Sequence, residues 1–214
     1  MGDGHVQGWP KWRIDFTSKD LSELSRFNKE VQDMFGVSGK VRPCTTNRFG
    51  KTFNLGINCK LLARVLNIAG APTGAKVLKE FSIPEWVVAD KENFRSFMRS
   101  LFTCEGCVSL DGRNSFVEIS MWKSVQLLPS EIEFFKQIKN NLKEHFSIET
   151  TNPFLSTNTN VRKDGIVTRG VRLRIKKLDS LIRFSNDIGF HTIEKQKKLN
   201  SSIELKSTGL RTGQ

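Results

Sequence analysis

The sequence predicts an α+β fold built from two copies of one unit, and three observations carry that reading. Short segments of period-two apolar alternation are interleaved with amphipathic helical segments. The first half reads strand, helix, strand, strand, helix, the same order starts again in the second half, and a stretch bearing Pro72, Gly74 and Pro84, without periodicity, separates the two runs.

Residues 11–18, KWRIDFTS, alternate Trp12, Ile14 and Phe16 with polar neighbours, the pattern of a half-buried strand. Residues 20–36 follow with Asp20 as N-cap, Glu23 three residues on, and Leu24, Phe27, Val31, Met34 and Phe35 along one face up to a stop at Gly36. GKVRPC and KTFNLGIN, joined by the turn-rich TTNRFG, predict a hairpin, and KLLARVLNIAG a short helix closed by Gly70. Beyond the break, KENFRSFMRSLFTCEG reads as a helix, SFVEISMW as a strand, PSEIEFFKQIKNNLKEHF as a helix, GVRLRIKK as a strand and LDSLIRFSNDIG as a helix. The expected division is a first repeat over residues 1–70, a linker over 71–90, a second repeat over 91–200 and a polar tail over 201–214.

Direct alignment supports the repeat. LARVLNIAGAPTGAK against LIRFSNDIGFHTIEK pairs Leu62 with Leu181, Arg64 with Arg183, Asn67 with Asn186, Gly70 with Gly189 and Lys76 with Lys195, all at a shift of 119. MFGV matches HFSI at a shift of 111, pairing Phe35 with Phe146, and GDGHV matches CEGCV at a shift of 102, pairing Asp3 with Glu105.

Bulk properties narrow the function. A length of 214 residues with 37% hydrophobic content can bury a core, and the formal charge of +12 with a pI near 9.8 calls for an anionic polymer as partner. Nucleic acid fits better than a membrane surface, because the basic residues run through strand-like segments and do not collect on one helix face. No apolar run is long enough to span a bilayer and no signal-peptide pattern opens the chain, so a soluble cytoplasmic protein is expected, nucleoid-associated in a prokaryote. Cys104 and Cys107 have C-x2-C spacing, but a zinc site needs a second close pair, and fourteen residues lie between Cys44 and Cys59. Free, partly buried thiols are expected.

Glu105 is the residue that asks for an explanation. A carboxylate in the last turn of a helix faces the negative end of the helix dipole, so a cation should lie nearby. The glycine after it, Gly106, suits a left-handed cap leading into the next strand. The repeat supplies a second acid, Asp3, also followed by glycine. Two such acids brought together repel unless a divalent cation lies between them; hard oxygen ligands suit Mg²⁺, and metal-bound water attacking a phosphodiester is the chemistry such a pair serves.

At these residues the sequence resembles the LAGLIDADG homing endonucleases. The nine-residue motif falls on MRSLFTCEG, with Ser100 and Cys104 at its small positions, Thr103 in place of its first acid, Glu105 as the functional acid and Gly106 as the last glycine. The resemblance covers nearly the whole chain and implies two pseudo-symmetric αββαββα units, each offering an antiparallel sheet to duplex DNA. It implies a site-specific double-strand endonuclease using Mg²⁺ or Mn²⁺, with Asp3, Glu105, Gly2 and Cys104 at the metal. Lys19 and Lys123, at the ends of matching strands, are the expected catalytic lysines, and Lys76 and Lys195 the auxiliary basic pair. Expected DNA-facing residues are Arg13, Arg42, Arg48, Lys51, Arg113, Arg162, Lys163, Arg169, Arg172 and Arg174, since Arg reads guanine bidentately or contacts phosphate. Because MGDGHV holds only the end of the first motif helix, that helix is expected to be truncated. The alternative is a non-cleaving binder of the same fold, an intron RNA maturase or a DNA-binding regulator. A monomer on a long recognition site is expected, with a dimer as the alternative.

Overall fold

The computed structural model describes residues 4–44, 51–111 and 114–208. The chain divides into two units, Met1–Lys76 and Val77–Gln214, with the boundary inside the predicted linker.

In the first unit, β1 (Gly4–Gln7) and β2 (Arg13–Ser18) lead to α1 (Leu21–Phe35), then β3 (Lys40–Pro43), β4 (Phe53–Ile57) and α2 (Lys60–Ile68). The sheet order is β1-β2-β4-β3, antiparallel throughout. Strand alternation sends Val6, Ile14, Phe16, Leu55 and Ile57 to the covered face, where Leu24 and Val31 of α1 and Leu62 and Ala63 of α2 are also buried.

The second unit repeats the plan after α3 (Glu85–Val88) and α4 (Lys91–Glu105). There β5 (Gly106–Ser109), β6 (Phe116–Ser124), α5 (Leu128–Phe146), β7 (Phe154–Val161), β8 (Val167–Ile175) and α6 (Leu178–Asp187) precede a closing helix, α7 (Ile193–Thr208). Its sheet order, β5-β6-β8-β7, is that of the first unit, again antiparallel. Val117, Ile119, Met121, Val171, Leu173 and Ile175 fill the covered face of this sheet, and Phe134, Phe135, Ile138 and Leu142 of α5 are buried with them. Each such side chain contributes about 1.5–3 kcal/mol of burial free energy.

The repeat extends to the caps. Gly36 ends α1 at φ 67°, and Ser147, 111 residues on, ends α5 at φ 54°, each in the left-handed region. Their amides donate to matching carbonyls, Gln32 and Lys143. Gly70 and Gly189, matched at 119, likewise both have positive φ.

Two expected boundaries differ from the structure. Residues 201–208 belong to α7, because Ser202 and Leu199 are fully buried and extend the packed face past the expected end. The expected linker is not a bare connection: Ile83 and Val87 are buried, Phe81 stacks edge-on to Phe134 at 5.2 Å, and Asn93 donates to the Trp86 carbonyl. None of the described helices is long and apolar enough to cross a membrane.

Candidate nucleic-acid interface and acid site

One face of each sheet lacks helices, and its polar residues follow from strand parity. In the second unit the uncovered face carries Phe116, Glu118, Ser120 and Trp122 on β6, paired across the ladder with Arg174 opposite Glu118, Arg172 opposite Ser120 and Gly170 opposite Trp122. Glu118 is only 7% exposed because two guanidinium groups close over it. Arg174 Nε lies 2.5 Å from Oε2 and Arg172 Nη1 lies 3.4 Å from Oε1. Arg174 also stacks over Phe116 and Phe154, at 4.3 and 5.0 Å to the ring centroids. Two cations against one carboxylate leave this face net positive, and Trp122 stands 40% exposed beside them. Cys107, cross-strand from Glu118, has its thiol pushed up, first by desolvation and then by the Glu118 carboxylate.

In the first unit the uncovered face carries His5, Gln7, Arg13, Asp15, Thr17, Asn54 and Gly56, by the same register logic. Asp15 accepts from Gln7 Nε2 at 2.9 Å and pairs with Arg13 Nη2 at 2.6 Å. A Cβ at position 56 would lie 2.5 Å from Arg13 Nη2, so glycine there leaves the guanidinium its seat across the strand.

The acid site lies at the C-terminal end of α4. Glu105 is the last residue of the helix, and the Gly106 amide closes the turn on the Phe102 carbonyl. Gly106 is not left-handed as expected: φ is −93° and the backbone is extended. Glycine is needed there for a different reason, since a Cβ would sit 2.5 Å from the Phe102 carbonyl oxygen. A cation does lie at this helix end: Lys195 of α7, whose Nζ donates to the carbonyls of Thr103 at 2.5 Å and Gly106 at 2.8 Å. It bridges the two carbonyls that flank the acid and faces the negative pole of α4. Thr103, which departs from the motif's first acid, is 5% exposed, donates to the Arg99 carbonyl at 2.7 Å and accepts from the His191 amide at 2.9 Å. An ionised carboxylate could not make the first of these bonds.

The other anticipated residues fall in several places. Lys123 is not beside Glu105. It points to the covered face of β6 with 1% side-chain exposure, 2.9 Å from the equally buried Glu131, with its Nζ 3.6 Å from the Phe81 ring centroid. Lys19 follows β2 at an exposed position, and the strand registers match it with Trp122, one residue away from the expected Lys123. Lys76 is half-buried at the end of the first unit. Arg13, Arg172 and Arg174 lie on uncovered faces, as does Arg42, opposite Asn54 on the edge strand β3. Arg169 shares the parity of Val171 and Leu173, so it projects opposite to Arg172, and its Nε donates to the Ser156 carbonyl. Arg162 is half-buried in the β7–β8 turn in a bidentate pair with Asp164, with Lys163 exposed beside it; Lys51 is exposed just before β4. Gly2, Asp3, Arg48 and Arg113 lie outside the described residues. Cys44, Cys59, Cys104 and Cys107 are free thiols, and among the described residues no three His, Cys, Asp or Glu side chains form a metal-binding group. The carboxylates Asp15 and Glu118 and the rings of Phe116, Phe154 and Trp122 were not anticipated at the interface.

No protein-family model matches the sequence, and no curated protein matches it. Solved structures do match. The full-length DUF199/WhiA of Thermatoga maritima aligns with a TM-score of 0.54 at 15% identity over all of this chain, which spans 58% of that protein's length. I-DmoI, in complex with DNA and Ca, aligns at 0.54 and 13% identity over 89% of this chain and 83% of its own. The homing endonuclease I-WcaI, bound to its DNA recognition sequence, aligns at 0.52 and 10% identity over 92% of this chain and 80% of its own. This chain has the LAGLIDADG fold. Within that fold the motif residues end α4, and the two uncovered sheet faces carry the arginines.

Proposed function

We propose that this LAGLIDADG-fold chain binds duplex DNA through the uncovered faces of its two sheets and cuts both strands at a specific site, as a homing-type endonuclease. The observation that carries the binding half is the pair Arg172 and Arg174, side by side on a face bare of helices with an exposed Trp122. A face of that kind suits the major groove, where Arg reads guanine. The DNA named with I-DmoI and I-WcaI supports the same reading.

For cleavage, Glu105 offers a hard carboxylate at a helix end fixed by Lys195, with the Cys104 carbonyl beside it in the chain. These donors fit Mg²⁺ or Mn²⁺, and the Ca named with I-DmoI supports divalent-metal use. Asp3 and Gly2 are the repeat-matched counterparts. The ion, when bound, would supply Lewis-acid chemistry at the scissile phosphate; the chain's own part is to hold the carboxylate, through the Lys195 bridge, at a defined place. A second reading, a nucleic-acid binder that does not cut, is favoured by one observation: Lys123, expected beside the acid, is consumed in the core by Glu131.

The test selects duplexes bound by the full chain from a randomised library, then incubates them with Mg²⁺ or Mn²⁺ and either wild type or Glu105→Gln. Defined double-strand cuts by wild type alone support the endonuclease. Binding without cuts by either protein supports the second reading. Absence of salt-sensitive binding to any duplex refutes both.

A further inference from the structure

The register places a carboxylate at the same point of both uncovered faces. Gly4 pairs with Phe16 and Gly106 with Ile119, so Asp15 and Glu118 are equivalent, each in the second strand of its unit. Each is clamped by arginine, but the arginines come from different strands. Arg13 reaches Asp15 from the same strand, lying over Gly56, whereas the residue equivalent to Gly56 is Arg174 itself, which meets Glu118 directly. The acid is thus the fixed element, and the chain supplies its cation by two routes.

A carboxylate on a DNA-facing surface repels phosphate, and an exposed acid would be costly there. Glu118 avoids that by burial: both of its oxygens face guanidinium groups, so it has little left to offer a base. Its effect is on the arginines. A free Arg side chain loses rotamer entropy when fixed and turns readily to the nearest phosphate. One held at Nε by a carboxylate and packed against Phe116 and Phe154 is restrained to one place on the face.

We propose that Glu118, and in the first unit Asp15, are positioning residues for specificity: they hold Arg174, Arg172 and Arg13 for base reading and keep them from indiscriminate phosphate contact. This rests on the duplex-binding reading above. Base preference at the guanines these arginines read therefore depends on a residue that touches no DNA.

Two measurements on the full chain separate this proposal from the reading it rests on. In the free protein, arginine side-chain ¹H–¹⁵N spectra should show a dispersed, slowly exchanging Nε–Hε signal for Arg174 that collapses toward the solvent-exposed position in Glu118→Gln; an unchanged spectrum overturns the clamp. Sites are also selected from a random duplex library with wild type, Glu118→Gln and Asp15→Asn, each checked for folding by its melting curve. The variants should lose about tenfold in guanine preference, each within its own part of the site. Their affinity for random duplex should rise at low salt, with a salt slope steeper by about 0.9 for each further phosphate that a released arginine neutralises. An identical selected sequence for wild type and variants overturns the specificity role. If wild type selects no duplex at all, the proposed function falls and the specificity role with it, while the spectra still decide whether the carboxylate holds the arginines.

Discussion

Lys123 is one of the two lysines expected to serve the chemistry, with Lys19, and its place in the core turns that expectation into a stability experiment. Its ammonium lies 2.9 Å from Glu131, and both side chains are 1% exposed. Replacing Lys123 with Met leaves the Glu131 charge buried without its partner, a loss of about 3–5 kcal/mol by the usual cost of breaking a buried pair. That is a large share of the roughly 5–15 kcal/mol that holds a domain of ordinary size. Replacing both, Lys123→Met with Glu131→Leu, removes the desolvation penalty along with the attraction, so the double variant should return to wild-type stability or exceed it by about 1–4 kcal/mol. Urea unfolding followed by circular dichroism measures the cycle, and DNA cleavage by the folded fraction is read in parallel. The double variant should cut as well as wild type. A stable but inactive double variant would refute the structural assignment and return Lys123 to the chemistry. The pH dependence has a definite sign. Burial pushes the Glu131 carboxyl above its ordinary value of 4.5 despite the opposing pull of Lys123. A carboxyl raised on folding contributes stability that is complete below its unfolded pKa and is lost as pH rises through the folded one. The advantage of wild type over Glu131→Gln should therefore shrink as pH climbs out of the acid range.

Two other substitutions test neighbouring claims. Lys195→Met removes both donors to the carbonyls of Thr103 and Gly106; since the lysine is half-exposed, the cost should fall near the lower end for charge-assisted bonds, about 1.5 kcal/mol in a urea melt, with cleavage reduced more than DNA binding. Phe146→Ala should cost about 3–5 kcal/mol, because Phe146 is 4% exposed beneath Phe94, whereas Phe35→Ala, at the repeat-matched position 45% exposed, should cost less than about 1 kcal/mol; equal losses would contradict the burial difference between the repeats.

Much of the order of elements was legible because most strands and helices carry their own period, whereas β7, exposed from Thr157 to Val161, carries none and was missed; the repeat was legible because caps are local. Gly36 and Ser147 occupy one kind of left-handed cap, and the alignment through MFGV and HFSI finds it even though Ser147 is not glycine. The closing helix α7, Ile193–Thr208, was not read from the sequence, where the last expected helix is LDSLIRFSNDIG. Past Leu199 its buried positions include Ser202, and a buried serine looks like tail composition until the packing is seen.

The site was harder to read, and a single residue of loop length explains much of the miss. Residues 8–12 join β1 to β2, five residues, while residues 110–115 join β5 to β6, six. The shift of 102 that matches Asp3 with Glu105 therefore becomes 103 in the following strands, and a match of Lys19 with Lys123 needs 104. In a strand one residue changes the face, which separates a lysine past the end of β2 from one buried against Glu131. The same correction brings out a pattern that was present in the sequence. At a shift of 103, Ile14-Asp15-Phe16-Thr17 falls on Val117-Glu118-Ile119-Ser120: apolar, acid, apolar, hydroxyl. Apolar residues at alternate positions set the covered face, so both acids must point to the other one. A basic protein that keeps a carboxylate at the same place on both uncovered faces is using it for something other than charge, and the arginines gathered on Glu118 and Asp15 show what those carboxylates hold.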